Sequence, residues 1–320
     1  MSTRTCAPVN VAELRTLMAD ELACRRIADR EDSFADARGG PETLYGLIGA
    51  VHVRAALGLP LGTRALRAGW AQRILGYRDA AGHFSGAESA GHAVHMALGA
   101  LNLLGEPIPR DIGPLAPTDP AALAEWLERH DWESTHKDLC GQTIPLLASG
   151  RVSAAWTEVF VRHLADRLRP ASPLATWCRP DAPPWQVISS LYHVLSAFDA
   201  GRLPYPQPEL LMGRLRELRW ESAPESAHRT ICTDSDWAWM LLRLCEQVPR
   251  HLEAVMPAIR QVSARRVAAW HAGGMALART STFHLYCFLW GTAVFQSCVR
   301  EHFTGGYLRD TLNDPALFRL

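Results

Sequence analysis

The sequence predicts an all-α protein built from a repeated helix pair, and three observations carry that prediction. Apolar helical segments rich in small residues begin near Tyr45, His92, Cys140, Ile188, Trp237 and Phe283, so successive starts lie 46 to 49 residues apart. Most are followed by a turn holding Gly or Pro (LGLPLG, LGEPIP, GRLPYP, QVPR), and a second, more amphipathic helix comes next. Strand signals, in the form of long period-two alternation, are almost absent. Helix pairs at a near-constant period form repeat architectures, in which each pair buries its apolar face against the next. Six pairs suit closure into a double ring, an (α/α)6 toroid with the apolar helices inside. An open solenoid is the alternative, but it would expose its end repeats, and no polar capping repeat is visible.

Taken in order, residues 1–43 read as an extra N-terminal helix and a linker. Over 11–29, Val11, Leu14, Met18, Leu22 and Ile27 fall roughly on one helix face. Asn10 with Glu13 makes a capping box at its start, and Gly39, Gly40 and Pro41 break the chain after it. Residues 44–300 form the toroid. Its inner helices are LYGLIGAVHVRAAL, HAVHMALGALNLLG, LCGQTIPLLASG, ISSLYHVLSAFDAG, WAWMLLRLCEQV and FHLYCFLWGTAVFQS. The segments TRALRAGWAQRIL, VSAAWTEVFVRHLADRL, ELLMGRLREL and EAVMPAIRQVSARRVAAW read as outer helices. Residues 301–320 are a C-terminal tail with a Gly305–Gly306 break, placed to cover one mouth of the ring or to reach a neighbour.

Composition narrows the function classes. With 320 residues, 48% hydrophobic and 21% charged, the chain is globular, with one large core or two ordinary ones. Lys+Arg and Asp+Glu balance at 33 each, so nothing in the charge argues for nucleic acid or an anionic membrane surface. Lys137 is the only lysine. The eight cysteines are scattered without a CxxC pair, which speaks against a zinc ribbon and against a disulfide framework. No basic start followed by an apolar run opens the chain, and the longest apolar stretch, Leu285 to Phe295, is too short for a bilayer. The expectation is a reduced cytoplasmic protein with a small-molecule substrate. No motif specifies a cofactor or an oligomeric state.

Residues 70–86, WAQRILGYRDAAGHFSG, followed by HAVHMALGALNLLG, resemble the repeat of the terpene cyclase and protein prenyltransferase toroids. In that repeat an outer helix ends in a glutamine, an aspartate–glycine–aromatic turn follows, and a small-residue inner helix begins. The matching residues here are Gln72, Asp79, Gly82 and Phe84. The later copies keep the spacing and lose the Gln and Gly. The resemblance implies the toroid over about 44–300 and, for its chemistry, either acid-initiated cyclisation of isoprenoids or zinc-dependent prenyl transfer.

In a helical ring the turns entering the inner helices share one rim. Those turns hold His52, His92, His95, His136, Cys140, Tyr192, His193, Asp234, Asp236 and His284. Asp234 and Asp236 precede Trp237, Trp239 and an apolar run, and three roles fit them. Ser235 or Asp236 caps a helix beginning there, placing carboxylates at the positive end of its dipole. Alternatively, a carboxyl desolvated beside tryptophan keeps its proton and acts as a general acid, while aromatic faces steady a carbocation. The family's Asp-x-Asp-Asp motif is incomplete here, since Trp237 follows Asp236. Thirdly, Cys232, Asp234, Asp236 and His284 are competent zinc ligands, although Cys232 lies on the other side of Asp234 from the prenyltransferase order.

The leading expectation is an isomerising, terpene cyclase-like enzyme. Asp236 donates the proton, Asp234 is its hydrogen-bonding partner, and His193 and His284 orient the acid. Trp237 and Trp239 are cation-stabilising walls, with Tyr192, His95, Asp131 and His136 as further substrate contacts and no metal assigned. The dense polar turn DWESTHKDLCGQ supports a second expectation, a glycan-active hydrolase or lyase pairing Asp131 or Glu133 with Asp236. A zinc-dependent prenyltransferase-like protein and a non-catalytic scaffold are the remaining alternatives.

Overall fold

Among the described residues, six helices are apolar nearly all round, and their burial separates them from six others. The structure is a computed structural model and describes residues 7–27, 30–84, 89–107, 112–113, 115–133, 136–168, 177–222, 231–272 and 279–309. Within these, the buried set is α2 (Leu44–Ala56), α4 (Ala90–Leu104), α6 (Lys137–Ala148), α8 (Pro184–Ala200), α10 (Ile231–Gln247) and α12 (Thr282–Cys298). Between them run α1 (Val11–Ala23), α3 (Arg64–Leu75), α5 (Pro120–Glu128), α7 (Ala154–Arg167), α9 (Pro208–Glu217) and α11 (Leu252–His271). In α2 eleven of thirteen residues are buried, whereas α3 buries only Trp70, Ala71 and Ile74. A helix apolar on every side needs protein on every side. The packing order supplies it: α2 packs on α4, α4 on α6, α6 on α8, α8 on α10, α10 on α12, and α12 returns to α2.

Side-chain oxygens at several N-termini set where these helices start. Thr43, Ser89 and Ser281 accept the backbone N–H of Gly46, His92 and His284 at 3.0, 3.1 and 3.0 Å. Where α4 meets α6 the backbones come close, because Gly91 faces Gly141 and a Cβ on Gly141 would overlap the Gly91 carbonyl. The Asp79 turn is formed: Asp79 Oδ1 accepts from Ala81 and His83 N–H, both at 2.9 Å, Gly82 sits at φ 84°, and Phe84 is buried.

The N-terminal segment belongs to the same core. Val11, Leu14, Met18 and Leu22 join the central cluster, and α1 packs on α2. Asn10 caps α1 as expected, accepting from Ala12 N–H at 3.0 Å. The helix ends at Ala23, not near 29, and Arg26 then pairs with Phe34 in an antiparallel bridge. Buried Glu21 takes Arg25, Arg38 and Arg279 at 3.0, 2.5 and 3.2 Å, tying α1 to the 35–42 loop and to the approach to α12. A two-residue parallel pair, β1 (Val9–Asn10) with β2 (Phe303–Thr304), joins the start of the described chain to its end. The rest of the tail, 310–320, lies outside the described residues.

Two further expectations change. The second pair has its own outer helix, α5, capped by Asp119 through Ala122 N–H at 2.9 Å. The helix holding Asp236 starts at Ile231, so Ser235 and Asp236 are not caps. Cys232, Asp234 and Asp236 already lie in its first two turns. Residues 223–230, which precede the helix, lie outside the described residues.

The glycine crossing gives a direct test. Gly141→Ala is expected to destabilise by about 3 kcal/mol through overpacking. Gly213→Ala, where an added Cβ meets nothing within 4 Å, is expected to stabilise by about 1 kcal/mol through helix propensity. Denaturant unfolding of both variants checks the contrast; equal midpoints would refute the tight crossing.

Candidate functional site

All six buried helices present their N-terminal ends to one cavity of about 640 Å³. Tyr45 comes from α2, His92, His95 and Met96 from α4, and Lys137 from α6. α8 contributes Trp185, Ser189, Tyr192 and His193; α10 contributes Cys232, Thr233 and Asp236. α12 contributes Phe283, His284, Tyr286, Cys287 and Trp290, and Asp36 reaches the cavity from the loop before α2. Phe283, Tyr286, Cys287 and Trp290 are spaced i, i+3, i+4, i+7, so a single stripe of α12 forms one wall. Cys232 and Asp236 are likewise one turn apart on α10.

Asp236 is 6% exposed. Burial holds its carboxyl well above the ordinary range; the neighbouring Cys232 and Asp234 push the same way, and Lys137 and Arg266 oppose them. Aromatic rings stand nearby. Tyr192 packs edge-on against Trp239 with centroids 5.3 Å apart and lies 5.6 Å from Trp290. Burial also raises the Tyr192 phenol well above its usual value, with Asp236 next in importance.

Burial disfavours the charged form of three cavity histidines, His92, His95 and His193. Burial lowers His95 to about 4 and His193 to about 3, and drives His92 well below its usual value with help from Lys137. His193 Nδ1 lies 2.7 Å from the Ser189 carbonyl, which assigns the proton to Nδ1 and leaves Nε2 as a base. His92 Nδ1 is 2.9 Å from the Tyr45 hydroxyl. His284 Nδ1 meets the hydroxyls of Thr280 and Ser281, each at 2.9 Å.

Of the residues expected from sequence, the cavity gathers Asp236, His193, His284, Tyr192 and His95, with His92 of the rim set and Cys232 of the zinc set. Asp234, Trp237, Trp239, Asp131 and His136 do not line it. Asp234 does not line the cavity and accepts the Trp220 indole N–H at 2.7 Å. Trp237 turns outward and donates to the Leu215 carbonyl at 3.3 Å, a consequence of standing about 100° round the helix from Asp236. Trp239 packs behind Tyr192. His136, fully buried, lies 3.0 Å from His130 and also meets the Trp177 carbonyl, serving as the left-handed cap residue of α6. Asp131 is exposed and accepts from Glu133 N–H at 2.9 Å in a local turn; Glu133 is exposed too. The carboxylate pair expected for glycan cleavage is therefore not assembled from these residues. His52 lies deeper than the cavity, its Nε2 3.3 Å from the Met96 carbonyl.

Among the described residues no group of three His, Cys, Asp or Glu side chains is placed to hold a metal ion. The Cys232, Asp234, Asp236 and His284 set is split, because Asp234 turns to Trp220. Sequence reading passed over Lys137, Tyr45, Phe283, Tyr286 and Trp290 as site residues. The i, i+3, i+4 spacing from each inner-helix start would have found the α12 stripe. No family profile, curated protein or solved structure matches the chain. No helix among the described residues is long and apolar enough to cross a membrane.

Buried neutral histidines make stability pH-dependent. His52, His95, His130 and His136 are lowered to about 4 and His193 to about 3. Below the ordinary value of 6.5 the unfolded chain takes up protons that the folded chain refuses, so each histidine costs stability as pH falls towards 4. The slope is at most about 1.4 kcal/mol per pH unit for each. Asp236, with its raised value, acts in the opposite sense: folded protein keeps a proton that the unfolded chain loses above the usual carboxyl range. Five groups outweigh one, so the melting temperature is expected to fall from pH 7 to pH 4.5. A flat profile in thermal melts would contradict the buried neutral imidazoles.

Proposed function

We propose that the chain is an (α/α)6 toroid of the terpene cyclase-like type, acting in the cytoplasm on an apolar, unsaturated, isoprenoid-like small molecule by acid-initiated isomerisation. The cyclic packing order of the six buried helices supports the ring. The observation that carries the chemistry is Asp236, a carboxyl kept protonated by burial on the wall of a 640 Å³ cavity. That volume is in the range of small-molecule sites, roughly 300–1,000 Å³.

Asp236 gives its proton to a carbon–carbon double bond or an epoxide oxygen of the substrate. The resulting cation is steadied by the faces of Tyr192, Tyr286, Trp290 and Phe283, which take the place expected for Trp237 and Trp239. A neutral imidazole then removes a proton from carbon; His193 Nε2 is the candidate base. With its basicity lowered by burial, the imidazolium returns the proton to Asp236. One proton enters and one leaves, so the product is an isomer of the substrate. His92, His95 and His284 shape the wall from α4 and α12.

The test is product formation from a panel of polyprenyl alcohols and squalene-type polyenes, read by mass spectrometry. Asp236→Asn is expected to lower turnover by about 10²- to 10⁴-fold, and Trp237→Phe to leave it within about twofold. Full activity in Asp236→Asn would sink the acid role, and no product from any polyene would sink the substrate class.

A further inference from the structure

Two cysteines line the cavity, and the acid chemistry proposed for it uses neither. Cys232 belongs to the first turn of α10 and Cys287 to the wall stripe of α12. These two helices pack on each other with their N-terminal ends at the same cavity. One turn further along, the Ser235 hydroxyl of α10 fills the space that a Cβ on Gly291 of α12 would need. Cys232 precedes Ser235 by three residues and Cys287 precedes Gly291 by four, so the two thiols fall at one level on facing sides. They are reduced and hydrogen-bonded to each other. Cys140 and Cys298, by contrast, engage other groups. The Cys140 thiol lies 3.9 Å from His95 Nδ1, and Cys298 donates to the Val294 and Phe295 carbonyls, both at 3.5 Å.

Exposure and charge divide the roles within the pair. Cys232 is half-buried, whereas Cys287 is 4% exposed. Burial pushes the Cys287 thiol well above its ordinary value, with the hydrogen bond to Cys232 next in importance. The Arg266 guanidinium acts on both sulfurs, with Asp236 opposing it at Cys287, and a cation beside a thiol favours the thiolate. Cys232 therefore meets an incoming reagent first, and Cys287 stands behind it.

We propose that Cys232 and Cys287 form a dithiol site in the cavity wall, which a small aliphatic disulfide oxidises to an intramolecular disulfide between α10 and α12. Cys232, as thiolate, attacks one sulfur of the reagent. The reagent's S–S bond breaks, and one half leaves as a thiolate that takes up, through water, the proton Cys232 has lost. Cys287 then attacks Cys232 Sγ, the mixed S–S bond breaks, and the second half leaves with the Cys287 proton. Two protein thiols are oxidised, and one reagent disulfide is reduced to two thiols. Because the sulfurs are already in contact, side-chain rotation brings them towards the bond length of about 2 Å. The crosslink staples the wall one helical turn from Asp236, and the site does not depend on Asp236 acting as an acid.

The test treats the full chain with 2-hydroxyethyl disulfide at pH 8, then alkylates it in denaturant and maps the peptides by mass spectrometry. The unaltered chain is expected to yield a peptide pair joined through Cys232 and Cys287, which dithiothreitol separates. Cys140 and Cys298 are expected to be recovered alkylated. In Cys287→Ser the mixed disulfide on Cys232 is expected to accumulate about tenfold above its level in the unaltered chain, for want of the resolving thiol. In Cys232→Ser the link is expected to be lost and modification of Cys287 to slow about tenfold. Thermal melts check that both variants fold, and the joined peptide in the unaltered chain needs no variant. A mixed disulfide that persists on Cys232 in the unaltered chain would overturn the site. So would a link from either residue to another cysteine, a link formed only in denaturant, or no reaction at either thiol.

Discussion

A helix that is apolar on every side has to be covered on every side, and that constraint organises this molecule. α2 and α12 keep almost no surface for water, so neither can stand at the edge of a layer. Each is flanked by two other helices of the same kind, and the contact order runs through all six and back to its start. Small residues make the approach possible. Gly91 against Gly141 lets two backbones meet, and Gly291 leaves room for the Ser235 hydroxyl and the Arg266 guanidinium. The outer helices need only one apolar stripe each, and the three buried residues of α7, Trp156, Phe160 and Leu164, show how little that requires.

The chemistry follows from the same packing. With their N-terminal ends at one cavity, the inner helices bring His92, Lys137, His193 and Asp236 together from sequence positions far apart. Removal from water then decides their protonation. It lowers the proton affinity of the imidazoles of His92 and His193 and raises that of the Asp236 carboxylate. Lys137 lines the same cavity from the first turn of α6. Aromatic rings fill the space between these polar groups, and they come chiefly from one face of α12 and from Tyr192. A buried carboxyl, buried imidazoles and aromatic walls thus share one volume.

Much of the fold was legible in the chain before any coordinates. The helix type, the 46- to 49-residue period, the cap at Asn10 and the positions of five apolar helices are local properties of the sequence. The start of α10 was misplaced by six residues, since an isolated reading of Asp234-Ser235-Asp236 favours a cap. In the folded chain Asp234 instead meets Trp220, fourteen residues away, and that partner removes the need for a break. The site was half legible for a related reason. His193, His284, Tyr192 and His95 sit on the cavity side of helices whose starts were recognised, and Asp236 faces the cavity from a helix that begins earlier than read. Trp237 and His136 stand as near to such starts, but their azimuth round the helix directs them to Leu215 and Trp177.

By itself the sequence determined that the protein is helical, which helices are buried, and that histidines and acids cluster near the helix starts. These are matters of period and composition, and each is readable within a window of a turn or two. Only the tertiary structure decided which of those side chains share a cavity, that Lys137 stands among them, and which keep or lose a proton. Helix rotation and desolvation depend on neighbours 40 or more residues distant, and no local window contains them.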